Sequence, residues 1–199
     1  MNNEKRSSGT KQNILDAATV CFAGRGYDAT GVAEICQQAG VSKGAFYYHF
    51  ESKESVFLEL VENRLLELER VLVQEFSAAD NVAEAMLALT DKIQVIIESN
   101  PLLLGLFREL WSHASRNPRV HKATIEPYSR YKKIFADIVQ KGIDEGTFNQ
   151  VDPDVAGQFL LSLTSGLFMQ AILSPFGENW GKLLHDSIIL LLEGLQRRD

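Results

Sequence analysis

The chain has 199 residues, of which 45% are hydrophobic, so it can bury a core and form one small domain plus a larger one. The net charge of −6 excludes a uniformly basic nucleic-acid binder, but residues 1–53 carry six Lys or Arg and five Asp or Glu, leaving the acidity to the other 146 residues. The N-terminal residues are polar and no uninterrupted apolar run approaches the ~20 residues that cross a bilayer, which predicts a soluble cytoplasmic protein without a membrane partner.

Two helices are predicted in the first 40 residues. The first has Thr10 as its cap and ends at Gly24-Arg25-Gly26. Thr30 is predicted to cap the second, and Gly40 ends it, since a left-handed backbone costs glycine nothing. Apolar residues recur at helical spacing along both. They are Ile14, Ala18, Cys21 and Phe22 in the first helix and Val32, Ile35, Cys36 and Ala39 in the second.

A short third helix follows the glycine turn. Ser42 is placed to cap it, and Phe46 and Phe50, at positions i and i+4, are predicted to face inward. The outer face then combines small, aromatic and basic residues, namely Lys43, Gly44, Ala45, Tyr47, Tyr48 and His49. Small residues allow a close approach to DNA, and the polar groups can donate to phosphates or base edges. Two helices joined by a glycine turn predict a helix-turn-helix motif over about residues 31–50.

The first 53 residues resemble the N-terminal signature of the tetracycline-repressor-like regulators, the TetR/AcrR family. The resemblance rests on an ordered set of residues, of which a lone helix-turn-helix pattern would be a weak part. The set is Ile14-Leu15-Asp16-Ala17-Ala18, Phe22-Ala23, Arg25-Gly26-Tyr27, Ala29-Thr30, Ala39-Gly40-Val41-Ser42-Lys43-Gly44, Tyr47, His49-Phe50 and Ser52-Lys53.

The resemblance implies a role for each matching position. Thr30 and Lys53 would hold phosphates at the starts of their helices, and Tyr47 and His49 would bind backbone phosphates. The surface over the base edges would be formed by Lys43, Gly44, Ala45 and Tyr48. Gly31 and Ala33 depart from the family pattern, which more often has a hydroxyl residue and a long polar residue there. An alternative is that the tyrosines and histidine only cover the edge of a core.

The rest of the chain reads as further helices with short breaks. The predicted fold is all-α, with about nine helices. It comprises a helix-turn-helix head at residues 8–54 and a helical effector-binding and dimerisation domain at residues 55–199. The predicted segments are 52–76, 82–98, a helix opened by Asn100-Pro101 and closed by Arg116-Asn117-Pro118, a segment 118–145 that Pro127 should kink or divide, a helix from Asp152-Pro153 to Ser174-Pro175, and 178–197.

The last two helices are apolar on more than one face. One core cannot easily cover both faces of such a helix, so a homodimer interface is favoured over simple burial. The resembling family dimerises through these helices, which would place two reading helices one DNA turn apart on a palindromic site. The predicted interface residues are Phe159, Leu163, Leu184, Ile188, Leu191 and Leu195.

Large side chains between the head and these helices are candidates for a small-molecule pocket. They are Met86, Phe107, Trp111, Tyr128, Tyr131, Phe135 and Phe168, and most of them can equally be core. Polar candidates near them are Arg108, Glu109, His113, Asn117 and His121. A metal site of Glu109, His113 and His121 can be drawn, but a surface pair or polar pocket group is favoured.

These features predict a ligand-responsive DNA-binding regulator, expected to be a repressor released by a small apolar effector. Cys21 and Cys36 are expected to be reduced core residues, with thiol sensing as the alternative. No convergent nucleophile and base stands out, so neither catalysis nor a cofactor or metal is expected. Two competing hypotheses are an all-helical carrier or enzyme on a helix-turn-helix-like scaffold and a nucleoid-type DNA binder without a ligand.

Overall fold

The computed structural model describes residues 2–99, 101–173 and 180–195. The described residues form nine α-helices and contain no strand of a sheet, which confirms the all-α prediction. In chain order the helices are α1 (Asn2–Arg25), α2 (Val32–Ala39), α3 (Lys43–His49), α4 (Lys53–Ala78), α5 (Val82–Ser99), α6 (Pro101–Ala114), α7 (Pro118–Asp144), α8 (Pro153–Leu173) and α9 (Trp180–Leu195).

Two predicted helix caps are wrong. Helix α1 begins at Asn2, so Thr10 lies inside it, because the polar residues before Thr10 include no proline to stop a helix. The cap of α2 is Gly31, not Thr30. The Thr30 side chain instead points into the protein, where its hydroxyl donates to the carbonyl of Gly26 at 2.8 Å.

Helix α7 continues through Pro127 as one helix, so of the two predicted effects, a kink or a division, the division is wrong and the kink stays a prediction. A proline removes one intrahelical hydrogen bond, and the remaining turns of this long helix hold it together. The predicted cap of α8 is confirmed, since Asp152 Oδ1 accepts from the backbone N–H of Asp154 at 2.9 Å. The predicted helix end at Ser174-Pro175 and the outer ends of segment 178–197 lie outside the described residues.

The chain forms two compact units. The first comprises residues 1–65 and 101–123, and the second comprises residues 66–100 and 124–199. Helix α6 therefore belongs with the N-terminal helices, although the sequence groups it with the effector domain. The assignment of DNA binding to residues 8–54 and of effector binding and dimerisation to residues 55–199 stays a prediction.

The first unit is built around one apolar cluster. Phe22, Phe46 and Phe57 are fully buried in it, and ring contacts link Phe22 to Phe57 at 5.6 Å. Helix α6 joins this unit through a close approach to α1: a Cβ at Gly105 would lie 2.9 Å from the Cβ of Ala23. The cluster thus holds the three N-terminal helices and α6 together.

The second unit contains α5, α8, α9 and most of α7. Helix α9 lies against α5, and a Cβ at Gly181 would meet the side chain of Gln94 at 2.0 Å. Helix α8 approaches α7 at Gly157, where a Cβ would lie 2.6 Å from the backbone nitrogen of Ala136. Glycine is needed at Gly157 because a larger residue would collide with the backbone of α7, whereas at Gly181 the flexible end of the Gln94 side chain can move aside.

One helix among the described residues, α8, is long and apolar enough to cross a membrane by length and composition alone. The sequence prediction missed this because it counted uninterrupted apolar runs, and α8 is interrupted by Gln158, Ser162 and Ser165. Exposed apolar residues on a helix also mark contacts between protein copies. Length and composition therefore do not decide whether α8 meets a membrane or another copy of the protein.

Candidate DNA-binding surface

The turn before α3 has the geometry that the sequence predicts. Gly40 adopts a left-handed conformation with φ 66°, and the hydroxyl of Ser42 accepts from the backbone N–H of Ala45 at 3.1 Å. Phe46 and Phe50 are buried, with exposed fractions of 0% and 4%. Two phenylalanines one turn apart therefore fix which face of α3 points outward.

We call the outward side of α3 the recognition face, formed by residues 42–45 and 47–49. Tyr47 is 56% exposed and Tyr48 is 78% exposed, whereas His49 is half-buried with its ring edge against Tyr48 at 4.9 Å. Lys43 is exposed and has no hydrogen-bond or ion-pair partner within the described part of the chain. Ala45 is half-buried, and Gly44 and Ser42 are exposed. The face thus presents a cation, phenol hydroxyls and a ring N–H beside a small-residue strip.

Thr30 and Lys53 are engaged inside the first unit. Thr30 is 2% exposed and its hydroxyl lies within hydrogen-bond distance of the carbonyls of both Gly26 and Cys21. The Lys53 ammonium donates to the carbonyl oxygens of Tyr27 at 2.6 Å and Thr30 at 2.8 Å. Because both polar groups are bonded within the first unit, we do not include them among the proposed DNA contacts.

Tyr27 lies at the centre of a cluster of rings and charges. The Lys53 ammonium lies 4.1 Å from its ring centroid, and the His113 ring lies at the same distance, edge-on. Burial raises the pKa of the Tyr27 hydroxyl, and Glu54 and Asp28 add to the rise. Burial lowers the pKa of Lys53, and Asp28 opposes this. The backbone N–H of Tyr27 donates to Glu109 at 2.7 Å.

Three of the polar residues predicted near a pocket, Glu109, His113 and Asn117, contact the loop between α1 and α2 or the start of α4. Besides Glu109, His113 Nε2 lies 3.6 Å from Asp28, and Asn117 donates to Glu54 at 2.7 Å. The sequence missed this role because nothing in a helix pattern shows which neighbouring segment the polar side faces. Among the described residues, no group of three or more His, Cys, Asp or Glu could hold a metal ion.

The predicted effector residues divide between the two units. Phe107 and Trp111 lie on α6 in the first unit, where Trp111 is 51% exposed. In the second unit, Tyr128 is 49% exposed and its hydroxyl accepts from Gln158 at 2.8 Å. Phe168 is half-buried, with its ring 6.5 Å from that of Trp180. The buried members are Met86, Tyr131 and Phe135.

The predicted interface residues also divide. Leu184 and Ile188 are 3% and 4% exposed, so they belong to the core of their own unit rather than to a free surface. Leu163, Leu191 and Leu195 are half-buried, and Phe159 is 56% exposed. The part of the predicted stripe formed by Leu184 and Ile188 faces the core of its own unit. Helical spacing identifies an apolar stripe but does not show which partner it faces. The exposed apolar residues of α8 and α9 are Val155, Phe159, Leu173, Ile189 and Leu190.

Both cysteines are free and buried, with exposed fractions of 7% for Cys21 and 5% for Cys36. Burial raises the pKa of the Cys21 thiol, Glu34 raises it further, and Arg25 opposes the rise. A raised pKa keeps a thiol protonated and poorly reactive. The positions of both residues agree with the core role predicted from the sequence.

Comparison with known proteins identifies the class that this surface defines. A family model described as "Bacterial regulatory proteins, tetR family" matches residues 14–60, and one described as "BetI-type transcriptional repressor, C-terminal" matches residues 97–185. The transcriptional repressor KstR2 of Rhodococcus jostii is 26% identical over 77% of this chain and 75% of its own. The uncharacterized transcriptional regulator YfiR of Bacillus subtilis is 26% identical over 80% of this chain and 78% of its own.

Solved structures agree on the fold. A putative transcriptional regulator from Saccharomonospora viridis, crystallised in complex with choline, superimposes with a TM-score of 0.82 at 21% identity, covering 96% of this chain and 100% of that one. The chain belongs to the TetR family of transcriptional regulators. It is a DNA-binding transcriptional repressor.

Proposed function

We propose that this repressor reads double-stranded DNA through the recognition face of α3. The observation that carries the proposal is the exposure of this face while Phe46 and Phe50 anchor the opposite side. A helix that is fixed on one side and presents small, aromatic and basic groups on the other fits a major groove. The proposed contact residues are Ser42, Lys43, Gly44, Ala45, Tyr47, Tyr48 and His49.

The contacts divide into positioning and reading. Tyr47 and His49 are proposed to bind backbone phosphates, since they flank the small-residue strip. The strip, with Lys43 and Tyr48, lies over the base edges. Gly31 and Ala33, both exposed at the start of α2, have no polar side-chain group to add. Specificity therefore comes from α3 rather than α2.

The repressor is proposed to act as a homodimer. The support is the set of exposed apolar residues on the last two helices, which include Phe159, Leu173 and Leu190 and form a surface suited to a partner copy. A two-fold axis through such a contact would place two recognition faces about 34 Å apart, on a palindromic operator. The same partner copy would cover the apolar face of α8, as expected for a cytoplasmic protein.

A small, largely apolar effector is proposed to release the operator. Met86, Tyr131 and Phe135 are large buried side chains of the second unit, and side chains of this kind line small-molecule sites. The Saccharomonospora viridis regulator was crystallised with choline, a small organic cation, which supports an effector of this size class. Binding would shift the population toward a state in which the two recognition faces no longer match the operator spacing, with no catalytic step.

Selection of DNA fragments by the purified full-length protein, with and without a compound library, tests this function. We expect enrichment of one palindromic sequence and its loss with an effector. Enrichment that no compound changes would support a nucleoid-type DNA binder, and no enrichment would contradict DNA reading. A gel-shift titration against DNA upstream of the protein's own coding sequence provides an independent check.

A further inference from the structure

The peptide groups of Tyr27 are held on both sides by charged side chains. Glu109 Oε2 on α6 accepts from the N–H of Tyr27 at 2.7 Å, and the Lys53 ammonium at the start of α4 donates to its carbonyl at 2.6 Å. Lys53 also donates to the carbonyl of Thr30 at 2.8 Å. We call this arrangement the Tyr27 clasp. Opposite charges from two helices thus fix the single loop between α1 and α2.

The surroundings of the clasp make these bonds strong. The Glu109 side chain is only 15% exposed, and the Lys53 ammonium and the His113 ring each lie 4.1 Å from the centre of the Tyr27 ring. Hydrogen bonds to ionised groups are stronger than neutral ones, and shielding from water strengthens them further. The ammonium of Lys53 has two carbonyls and a ring face within reach. It is therefore already coordinated by the loop.

The held loop leads directly into α2. Thr30 precedes Gly31, which is the cap of α2, and Gly31 has no side chain with which to fix the helix start. Instead, two hydrogen bonds fix the loop that precedes the helix. The Thr30 hydroxyl donates to the carbonyl of Gly26, and the Lys53 ammonium donates to the carbonyl of Thr30. A shift of this loop would move the start of α2, and the turn at Gly40 connects α2 to the recognition helix.

We propose that Lys53 and Glu109 are positioning residues for DNA reading, which act through the Tyr27 clasp and make no contact with the DNA themselves. For Lys53 this differs from the phosphate contact that the family resemblance implies. For Glu109 the proposal means that α6 helps to position the DNA-binding helices. The inference rests on the proposed recognition face, whose own test is whether the wild-type protein binds DNA at all.

The slope of log K against log salt distinguishes positioning from phosphate contact. Each lost cation–phosphate contact reduces the magnitude of this slope by about 0.9, whereas a loosened loop weakens binding at every salt concentration. The probe is a labelled duplex selected from a random pool by the wild-type protein, titrated between about 50 and 200 mM salt. We expect Lys53→Met to lower affinity about tenfold or more with an unchanged slope.

Two matched variants complete the measurement. Glu109→Ala, which removes no cation, should lower affinity in the same way, and Glu109→Gln, which keeps an acceptor for the Tyr27 N–H, should restore most of it. Both positions act through one loop. The loss of DNA-binding free energy in the double variant Lys53→Met with Glu109→Ala should therefore be smaller than the sum of the losses in the two single variants.

Amide hydrogen exchange provides a readout that needs no DNA. The Tyr27 N–H should be protected in the wild-type protein and exchange at least tenfold faster in Glu109→Ala, with the helices still folded by circular dichroism. A slope that falls by about 0.9 or more in Lys53→Met would overturn the proposal for Lys53. An unprotected Tyr27 amide in the wild type, or wild-type affinity in Glu109→Ala, would overturn it for Glu109.

Discussion

Lys141 and Glu145, one helical turn apart at the end of α7, hold opposite sides of the turn between α4 and α5. The Lys141 ammonium donates to the carbonyls of Phe76 at 2.7 Å and Ala79 at 2.6 Å. Glu145 Oε1 accepts from the backbone N–H of Val82 at 2.7 Å. The helix dipole favours a cation at the C-terminal end of a helix and a carboxylate at the N-terminal end. Lys141 at the end of α4 and Glu145 at the start of α5 both follow this rule.

Replacing Lys141 by Met should destabilise the protein by about 1–3 kcal/mol, since two carbonyls lose a charged donor. Urea unfolding followed by circular dichroism measures the change. Lys133→Met on the same helix is the control, because among the described residues Lys133 pairs with the exposed Asp137 alone and should contribute at most about 0.5 kcal/mol. Equal effects in the two variants would show that Lys141 is another surface cation.

The contact of α6 with α1 predicts opposite effects at two glycines. Gly105→Ala should destabilise the protein by about 1–3 kcal/mol, because the added methyl group would lie 2.9 Å from the Cβ of Ala23. Gly24→Ala, in an exposed turn of α1 with nothing within 4 Å, should stabilise it by up to about 1 kcal/mol. Thermal unfolding of both variants checks the signs. A neutral Gly105→Ala would mean that α6 does not approach α1 this closely.

The proposed dimer surface predicts which apolar residue governs association. Phe159→Lys should shift the protein from dimer to monomer in sedimentation at micromolar concentration without loss of helix content, because Phe159 is 56% exposed. Val95→Lys on α5, at a residue that is 62% exposed, is the matched control and should remain dimeric. A wild-type protein that sediments as a monomer would end this part of the proposal.

Alkaline pH should destabilise the fold. Burial raises the pKa values of Tyr131, Tyr27 and Cys21, so the native state holds these protons at pH values where the unfolded chain releases them. Their contribution to stability is complete below the unfolded pKa values of about 8.5 for Cys and 10 for Tyr, and it is lost as pH rises above them. Tyr131→Phe should flatten the decline in unfolding free energy above about pH 10. A decline of unchanged steepness would contradict the assignment to Tyr131.

The division of labour on the recognition face predicts two different DNA-binding phenotypes. Tyr47→Phe should weaken binding evenly across operator variants, because a phosphate contact carries no sequence information. Lys43→Ala should in addition relax the base preference at one position, by about 1–3 kcal/mol of discrimination. Competition binding against single-base operator variants measures both. An equal loss of preference in the two variants would reverse the assignment of phosphate and base contacts.

Local patterns were sufficient to predict the motif around α3. Gly40, Ser42, Phe46 and Phe50 act on neighbours within four residues, and such short-range geometry depends little on the rest of the fold. The same holds for the Asp152 cap of α8.

Contacts between distant segments could not be predicted in this way. Thr30 has the residue type of a helix cap, yet the chain turns its hydroxyl inward and leaves the cap to Gly31. Leu184 and Ile188 fit an interface stripe, yet they lie in the core of their own unit. In both cases the residue type is compatible with two environments that only the packing distinguishes.

The sequence by itself therefore determined the helical fold, the helix-turn-helix motif and the family, because these follow from periodicity, capping residues and an ordered local signature. Only the tertiary structure decided the partners of Glu109 and Lys53. Glu109 is 82 residues from Tyr27 along the chain. A carboxylate on a helix can serve a pocket, a metal or a loop, and the choice depends on which segment the fold brings within hydrogen-bond distance.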